Sequence, residues 1–144
     1  MFRKFFLSIK IRSFSIRNRL IAKVHGLNSE KYWDFRFKNN WQHLNGRLQS
    51  MLFASGFATL NFHFENVNSI LDYGCGLADS IPVLKSKYPE AQLFFYDFSK
   101  KAMEIATKNY GQYAQPFHPK SVQRFSLVYC SNVIEHITDV QIDT

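Results

Sequence analysis

Ile70-Leu71-Asp72-Tyr73-Gly74-Cys75-Gly76-Leu77-Ala78-Asp79-Ser80 reads as a buried strand that breaks into a glycine turn. Gly74 and Gly76 admit backbone angles closed to other residues and put no Cβ between chain and ligand, so a small molecule is expected to lie against the backbone here. Ser80-Ile81-Pro82 places proline near the first turn of a helix, whose unpaired N–H groups would face the same space. Asp72 adds a fixed carboxylate at the strand tip.

Downstream, Pro82 to Tyr88 reads as a short helix ended by Pro89, which disfavours helix in the residue before it. Ala91 to Tyr96 is a second strand, nearly continuous in apolar character as expected when both faces are covered, and Asp97 stands at its end. Ser99 caps a helix over Lys100 to Asn109. Tyr110 to Lys120 carries Gly111, Pro116 and Pro119 and reads as a loop with at most a brief strand around Tyr113. Phe125 to Cys130 is a third clear strand, followed by Ser131-Asn132 and a helix starting over Val133 to Ile137. This order argues an α/β parallel sheet with right-handed crossovers.

Upstream, Gly26-Leu27-Asn28-Ser29 is a break with a helix cap. The helix expected over Glu30 to His43 carries Tyr32, Trp33, Phe35, Phe37 and Trp41. Such aromatic density needs a surface: either these rings pack on the main domain, or Tyr32 or Trp33 closes over a ligand pocket. Asn45-Gly46 turns the chain into a second helix over Arg47 to Leu60.

The 144 residues suit one domain, and 46% hydrophobic with 17% aromatic residues suffices for a core. The net charge of +7 resides in residues 1–25, where Arg3, Lys4, Lys10, Arg12, Arg17, Arg19 and Lys23 meet no acid. The remainder is neutral, which argues against a nucleic-acid surface. We therefore divide the chain into a basic amphipathic leader, 1–27, and a main domain, 28–144. Three roles compete for the leader: a helix packed on the domain, a helix on an anionic membrane surface, and an organelle targeting peptide. No apolar run is long enough to cross a membrane. Cys75 and Cys130 form no CxxC pair and read as reduced packing residues of a cytoplasmic protein. The histidines lack metal-ligand spacing, so no metal is expected.

Ligands of open parallel sheets bind beyond the carboxyl ends of the strands. Here the tips, Asp72 to Gly76, Asp97 and Cys130 to Asn132, are expected to converge. Asp97 can accept both hydroxyl protons of a ribose diol, Asp72 can orient an ammonium group, and Phe98 can stack on adenine. A dinucleotide site would read Gly74-Cys75-Gly76-Leu77-Ala78-Asp79 as GxGxxG, but Asp79 in place of the last glycine would repel a pyrophosphate.

Three motifs in order resemble those of the class I S-adenosylmethionine-dependent methyltransferases. Asp72, Gly74, Gly76 and Ala78 match the family's acid-x-Gly-x-Gly-x-Gly, with alanine for the last glycine. Asp97 matches the acid that binds the ribose hydroxyls, and Phe125 to Ile137 matches the fourth-strand segment. The similarity spans about Tyr32 to Asp139 and implies a Rossmann-like parallel sheet with flanking helices, preceded by N-terminal helices. It also implies S-adenosyl-L-methionine as cofactor, held by Asp72, Gly74, Cys75, Gly76, Ala78, Asp97, Phe98 and Ser131. The implied reaction is methyl transfer to O or N of a small-molecule or cell-envelope metabolite, with His136 the best placed general base and Glu135 next.

The chain departs from the family at Ser126, where aspartate is common, and shows no third strand ending in an acid for the adenine amino group. It also stops at Thr144, where the family's sheet continues with three more strands. It is therefore expected to be a fragment that leaves Leu127 and Val128 uncovered. Two alternatives accompany this reading: a non-catalytic remnant that keeps the cofactor cleft, and a nucleotide-binding oxidoreductase.

Overall fold

The computed structural model describes residues 16–39, 41–42, 44–60, 64–133 and 136. A helical stretch over 16–25 (α1) precedes α2 (Glu30–Asn39) and α3 (Gly46–Thr59). The alternating part follows as β1 (Ser69–Tyr73), α4 (Ile81–Lys87), β2 (Gln92–Tyr96), α5 (Lys100–Tyr110), β3 (Gln115–Pro116) and β4 (Leu127–Cys130). The four strands lie parallel in the order β3-β2-β1-β4, the Rossmann-like arrangement expected from the sequence. Tyr73 pairs with Tyr96 on one side and with Cys130 on the other, so the tips of β1, β2 and β4 end at one level.

The apolar runs make this sheet because helices cover them. Ile70 and Phe95 are fully buried beneath Ile81 and Leu84 of α4 and Ala106 of α5. Burying a side chain of that size contributes about 2 kcal/mol. At the opposite end of the sheet from the tips, Ser126 joins β1 to β4. Its Oγ accepts the backbone N–H groups of Asn68 (3.0 Å) and Ser69 (2.9 Å), and its own N–H donates to Ser69 Oγ at 3.1 Å. Ser126 is thus more than the surface variation its exposure suggests.

Asp34 docks α2 onto the sheet domain. Its Oδ1 accepts the Ser99 hydroxyl and the Lys101 N–H (3.0 Å), placing a carboxylate at the N-terminus of α5, where the helix dipole favours it. Ser99 Oγ in turn accepts the Ala102 N–H at 3.1 Å, the cap read from the sequence.

Several boundaries differ from expectation. The α2 helix ends at Asn39, short of His43, and the following turn passes through Asn45 in a left-handed conformation, φ +58°; residues 40 and 43 lie outside the described residues. The third strand forms at Gln115–Pro116 rather than around Tyr113, where only its neighbour β2 needs hydrogen bonds and an edge proline is tolerated. The helix expected from Val133 is described only as a single turn at His136, whose N–H bonds Val133 O at 2.9 Å; Glu135 and Ile137 lie outside the described residues. Leu127 packs on the core, whereas Val128 is 54% exposed. Among the described residues, no helix is long and apolar enough to cross a membrane.

Candidate functional site

The turn after β1 is built by the conformations its residues must adopt. Gly74 (φ +73°), Gly76 (φ +54°) and Ala78 (φ +59°) all take left-handed backbone, Ala78 at the position where the resembled motif carries glycine. The tip of β2 ties the turn down. Tyr96 O accepts the N–H groups of Gly74 (2.8 Å) and Cys75 (3.0 Å), and Asp97 Oδ2 accepts that of Gly76 at 2.9 Å.

These bonds correct one expectation. The amides of Gly74, Cys75 and Gly76, with those of Ala78 and Ile81, are satisfied within the chain rather than held open for a ligand. The glycines also make room for protein: a Cβ on Gly74 would collide with Val133, and one on Gly76 would sit 3.1 Å from Phe37 Cε1. The α2 aromatic residues therefore close directly over the turn.

Between the strand tips and α2 lies a cavity of about 420 Å³. Asp72, Gly74, Cys75, Gly76, Asp97, Phe98, Ser131 and His136, all singled out from the sequence, line it together. Ala78 does not; it is fully buried beneath the turn. Phe98 stands exposed at the rim, where a ring can stack on one face only.

Two buried acids dominate the floor. Asp72 accepts the Ser80 hydroxyl. Burial pushes its pKa up to about 7 against that bond, with nearby Asp97 adding to the rise. Asp97 accepts Ser99 N–H on Oδ1 (2.9 Å) and Gly76 N–H on Oδ2. Burial raises its pKa to about 6, the two backbone bonds oppose this, and Asp34 adds repulsion. Each Asp97 oxygen keeps acceptor capacity beyond its backbone bond. The floor thus carries a pair of acids poised to ionise fully when a cation arrives.

The facing wall comes from α2 and the turn after it: Trp33, Arg36, Phe37 and Trp41. Trp33 meets the His136 ring edge-on at 5.1 Å and stacks obliquely on Phe37, which continues to Trp41 at 4.9 Å. Arg36 Nη1 donates to Tyr32 OH, and its guanidinium lies 5.3 Å from the Trp33 ring. Among the described residues, Trp33 Nε1 and Arg36 Nε are buried without hydrogen-bond partners. Two unpaired donors on the wall of a cavity whose floor is acidic call for a ligand with an anionic end as well as a cationic one.

Arg36 and Trp41 escaped the sequence reading as site residues, although Trp33, Arg36 and Phe37 fall at the i, i+3, i+4 spacing of one helical face. A cation set among rings on such a face was the available signal.

Asp79 faces elsewhere. Its Oδ1 accepts Tyr110 OH at 2.8 Å and lies 3.7 Å from Arg47 Nε, and it does not line the cavity. Burial raises its pKa, while Tyr110, Trp41 and Arg47 lower it. Trp41 Nε1 acts there by proximity, since among the described residues neither it nor Asp79 Oδ2 has a hydrogen-bond partner. The expected repulsion of a pyrophosphate by Asp79 therefore does not arise, because its carboxylate is turned into the protein. Cys75 is a buried packing residue whose thiol burial holds well above the ordinary range. Among the described residues, no cluster of three His, Cys, Asp or Glu side chains is arranged to hold a metal.

A family model described as a methyltransferase domain matches residues 31–142. Among solved structures, the chain is similar to the plantazolicin methyltransferase BpumL in complex with SAH, with a TM-score of 0.50 and 18% identity. The match covers 87% of this chain and 50% of that one, so the chain spans about half the length of that solved relative. At this identity the likeness speaks for the fold. No curated protein matches the chain.

Proposed function

The chain belongs to the methyltransferase-domain family, whose model spans 31–142, and from that membership we propose that its cavity binds S-adenosyl-L-methionine for methyl transfer to a small-molecule or cell-envelope acceptor. The observation that carries this reading is the pairing of a buried acidic floor with unpaired donors on α2.

The residues present fit the group. Asp97 has acceptor capacity on both oxygens for the ribose hydroxyls, and Phe98 offers a face at the rim to the adenine. Asp72 would hold the ammonium group, while Arg36 Nε and Trp33 Nε1 would receive the carboxylate. A volume near 420 Å³ falls within the roughly 300–1,000 Å³ of small-molecule sites. Cys75 and Ser131 would complete the walls, and Ala78 would support the turn from below.

When bound, S-adenosyl-L-methionine supplies a methyl group on a sulfonium centre open to in-line displacement. The chain contributes orientation through Asp72 and Asp97, exclusion of water by Trp33, Phe37 and Trp41, and a proton acceptor in His136 at the cavity wall. An O–H or N–H acceptor entering beside Trp33 would pass its proton to His136 as the methyl bond forms. Residues 28–144 would carry this chemistry, and their balanced formal charge, with no excess of basic residues, favours a small acceptor over nucleic acid.

Radiolabelled methyl transfer to a panel of phenols, carboxylic acids and amines tests the proposal. Transfer reduced by His136→Ala with cofactor affinity unchanged supports it. Cofactor binding without transfer to any acceptor favours a binding remnant, and selective binding of NAD would replace it with a nucleotide-binding oxidoreductase.

A further inference from the structure

Helix α1 turns the wrong face outward for a helix that merely packs on its domain. Its half-buried positions are Asn18, Ile21 and Ala22, whereas the apolar residues spaced four apart are exposed: Ile16 60%, Leu20 57% and Val24 72%. Leu27, just past the helix, continues the stripe at 63%. On a helix of 3.6 residues per turn, positions 16, 20 and 24 share one face, Arg19 and Lys23 fall along one flank and Arg17 along the other. All three basic residues are exposed.

We propose that α1 lies in the plane of an anionic phospholipid surface, with Ile16, Leu20 and Val24 seated at the acyl boundary and Arg17, Arg19 and Lys23 reaching the headgroup phosphates. Charge complementarity selects this occupant. The whole net charge of +7 resides in residues 1–25, which contain no acid. An apolar stripe with basic residues on both flanks and no acid among them is the pattern of interfacial helices, since long basic side chains extend from the acyl boundary to the phosphates. A second copy of the chain would bring like charges together along this face, which disfavours self-association. Nucleic acid would use the basic residues and leave the apolar stripe in water. None of these residues lines the cofactor cavity, so the inference stands apart from the methyltransferase reading.

Co-sedimentation of the full chain with vesicles tests it, comparing phosphatidylcholine with phosphatidylcholine containing about 30 mol% phosphatidylglycerol. The expected result is binding to the anionic vesicles at least about tenfold tighter than to the neutral ones, falling as salt rises to about 0.5 M. Leu20→Glu with Val24→Glu, and separately Arg17→Gln with Arg19→Gln and Lys23→Gln, should each weaken binding about tenfold with the melting temperature unchanged. The salt titration needs no variant and so reads the charge contribution independently of folding. Three outcomes overturn the proposal: no binding to anionic vesicles, full retention of binding by the Leu20→Glu, Val24→Glu chain, or a dimer that those two substitutions dissociate in the absence of any vesicle binding.

Discussion

Asp97 Oδ2 accepts the backbone N–H of Gly76 at 2.9 Å, so the tip of β2 fixes the turn that leaves β1. With Tyr96 O holding Gly74 and Cys75, the floor of the cavity is assembled by the sheet before any ligand binds. Such preorganisation reduces the ordering that binding would otherwise require.

Gly76→Ala should disturb this floor in two ways. The left-handed φ of +54° disfavours a Cβ by about 1–2 kcal/mol, and Phe37 Cε1 at 3.1 Å must give way. Urea unfolding is expected to show a loss of about 1–3 kcal/mol. Adding Phe37→Leu should recover the steric part and leave the backbone part. Equal stability of Gly76→Ala and the parent would mean that Phe37 does not cap the turn.

The acidic floor predicts a pH dependence of definite sign. Asp72 and Asp97 have folded pKa values of about 7 and about 6, above the ordinary 3.8. Between pH 4 and 7 the folded chain therefore binds more protons than the unfolded one, so their contribution to stability falls as pH rises through that window. The fall is on the order of a few kcal/mol. Thermal melts of the ligand-free chain should show it, and Asp72→Asn should remove its upper part. A cationic ligand reverses the trend, since it favours the ionised acids: its affinity should rise between pH 6 and 8. A melting temperature flat across pH 5 to 8 in both chains would contradict the burial of the two acids.

Arg36→Met should weaken cofactor affinity about tenfold, the contribution of a hydrogen bond to a charged group. The methionine side chain still covers Trp33, so stability should change by less than about 1 kcal/mol. Parallel calorimetry and urea melts separate the two effects; an unaltered affinity would remove Arg36 from the carboxylate end of the site.

The core fold was legible because its strands read as short, largely apolar runs. Ile70–Tyr73, Leu93–Tyr96 and Leu127–Cys130 each end in the polar or glycine residues that mark a tip. Asp72 and Asp97 could be placed for the same reason, since the end of a parallel strand is a fixed location. What escaped notice depends on partners distant in sequence. Asp34 meets Ser99 across 65 residues, and Asp79 turns to Tyr110 across 31 rather than to the cavity. Spacing within one segment carries no trace of such pairings. The edge strand at Gln115–Pro116 was displaced for a related reason: it is fixed by pairing with Phe94 and Phe95, not by its own residues.

Ser126 offers a test of that distinction. Ser126→Ala removes the acceptor of two backbone N–H groups and should lower stability by about 1 kcal/mol, modest because the site is exposed. Ser126→Asp introduces the residue common in the resembled family, and its carboxylate can accept both groups, so stability should be retained. Denaturant midpoints for the two variants check this; equal loss in both would show that the hydroxyl's own donation matters more than its acceptance.

The central claim is that Asp97 and its neighbours form a cleft for S-adenosyl-L-methionine. The most direct measurement is calorimetric titration of the parent chain and Asp97→Asn with S-adenosylhomocysteine, repeated in excess NAD. The account predicts binding by the parent, about 10–100-fold weaker binding by Asp97→Asn, which also gives up one of its two backbone N–H bonds and about 1–3 kcal/mol of stability, and no competition from NAD. Binding of NAD with no response to S-adenosylhomocysteine, or equal affinity in the two chains, would contradict it.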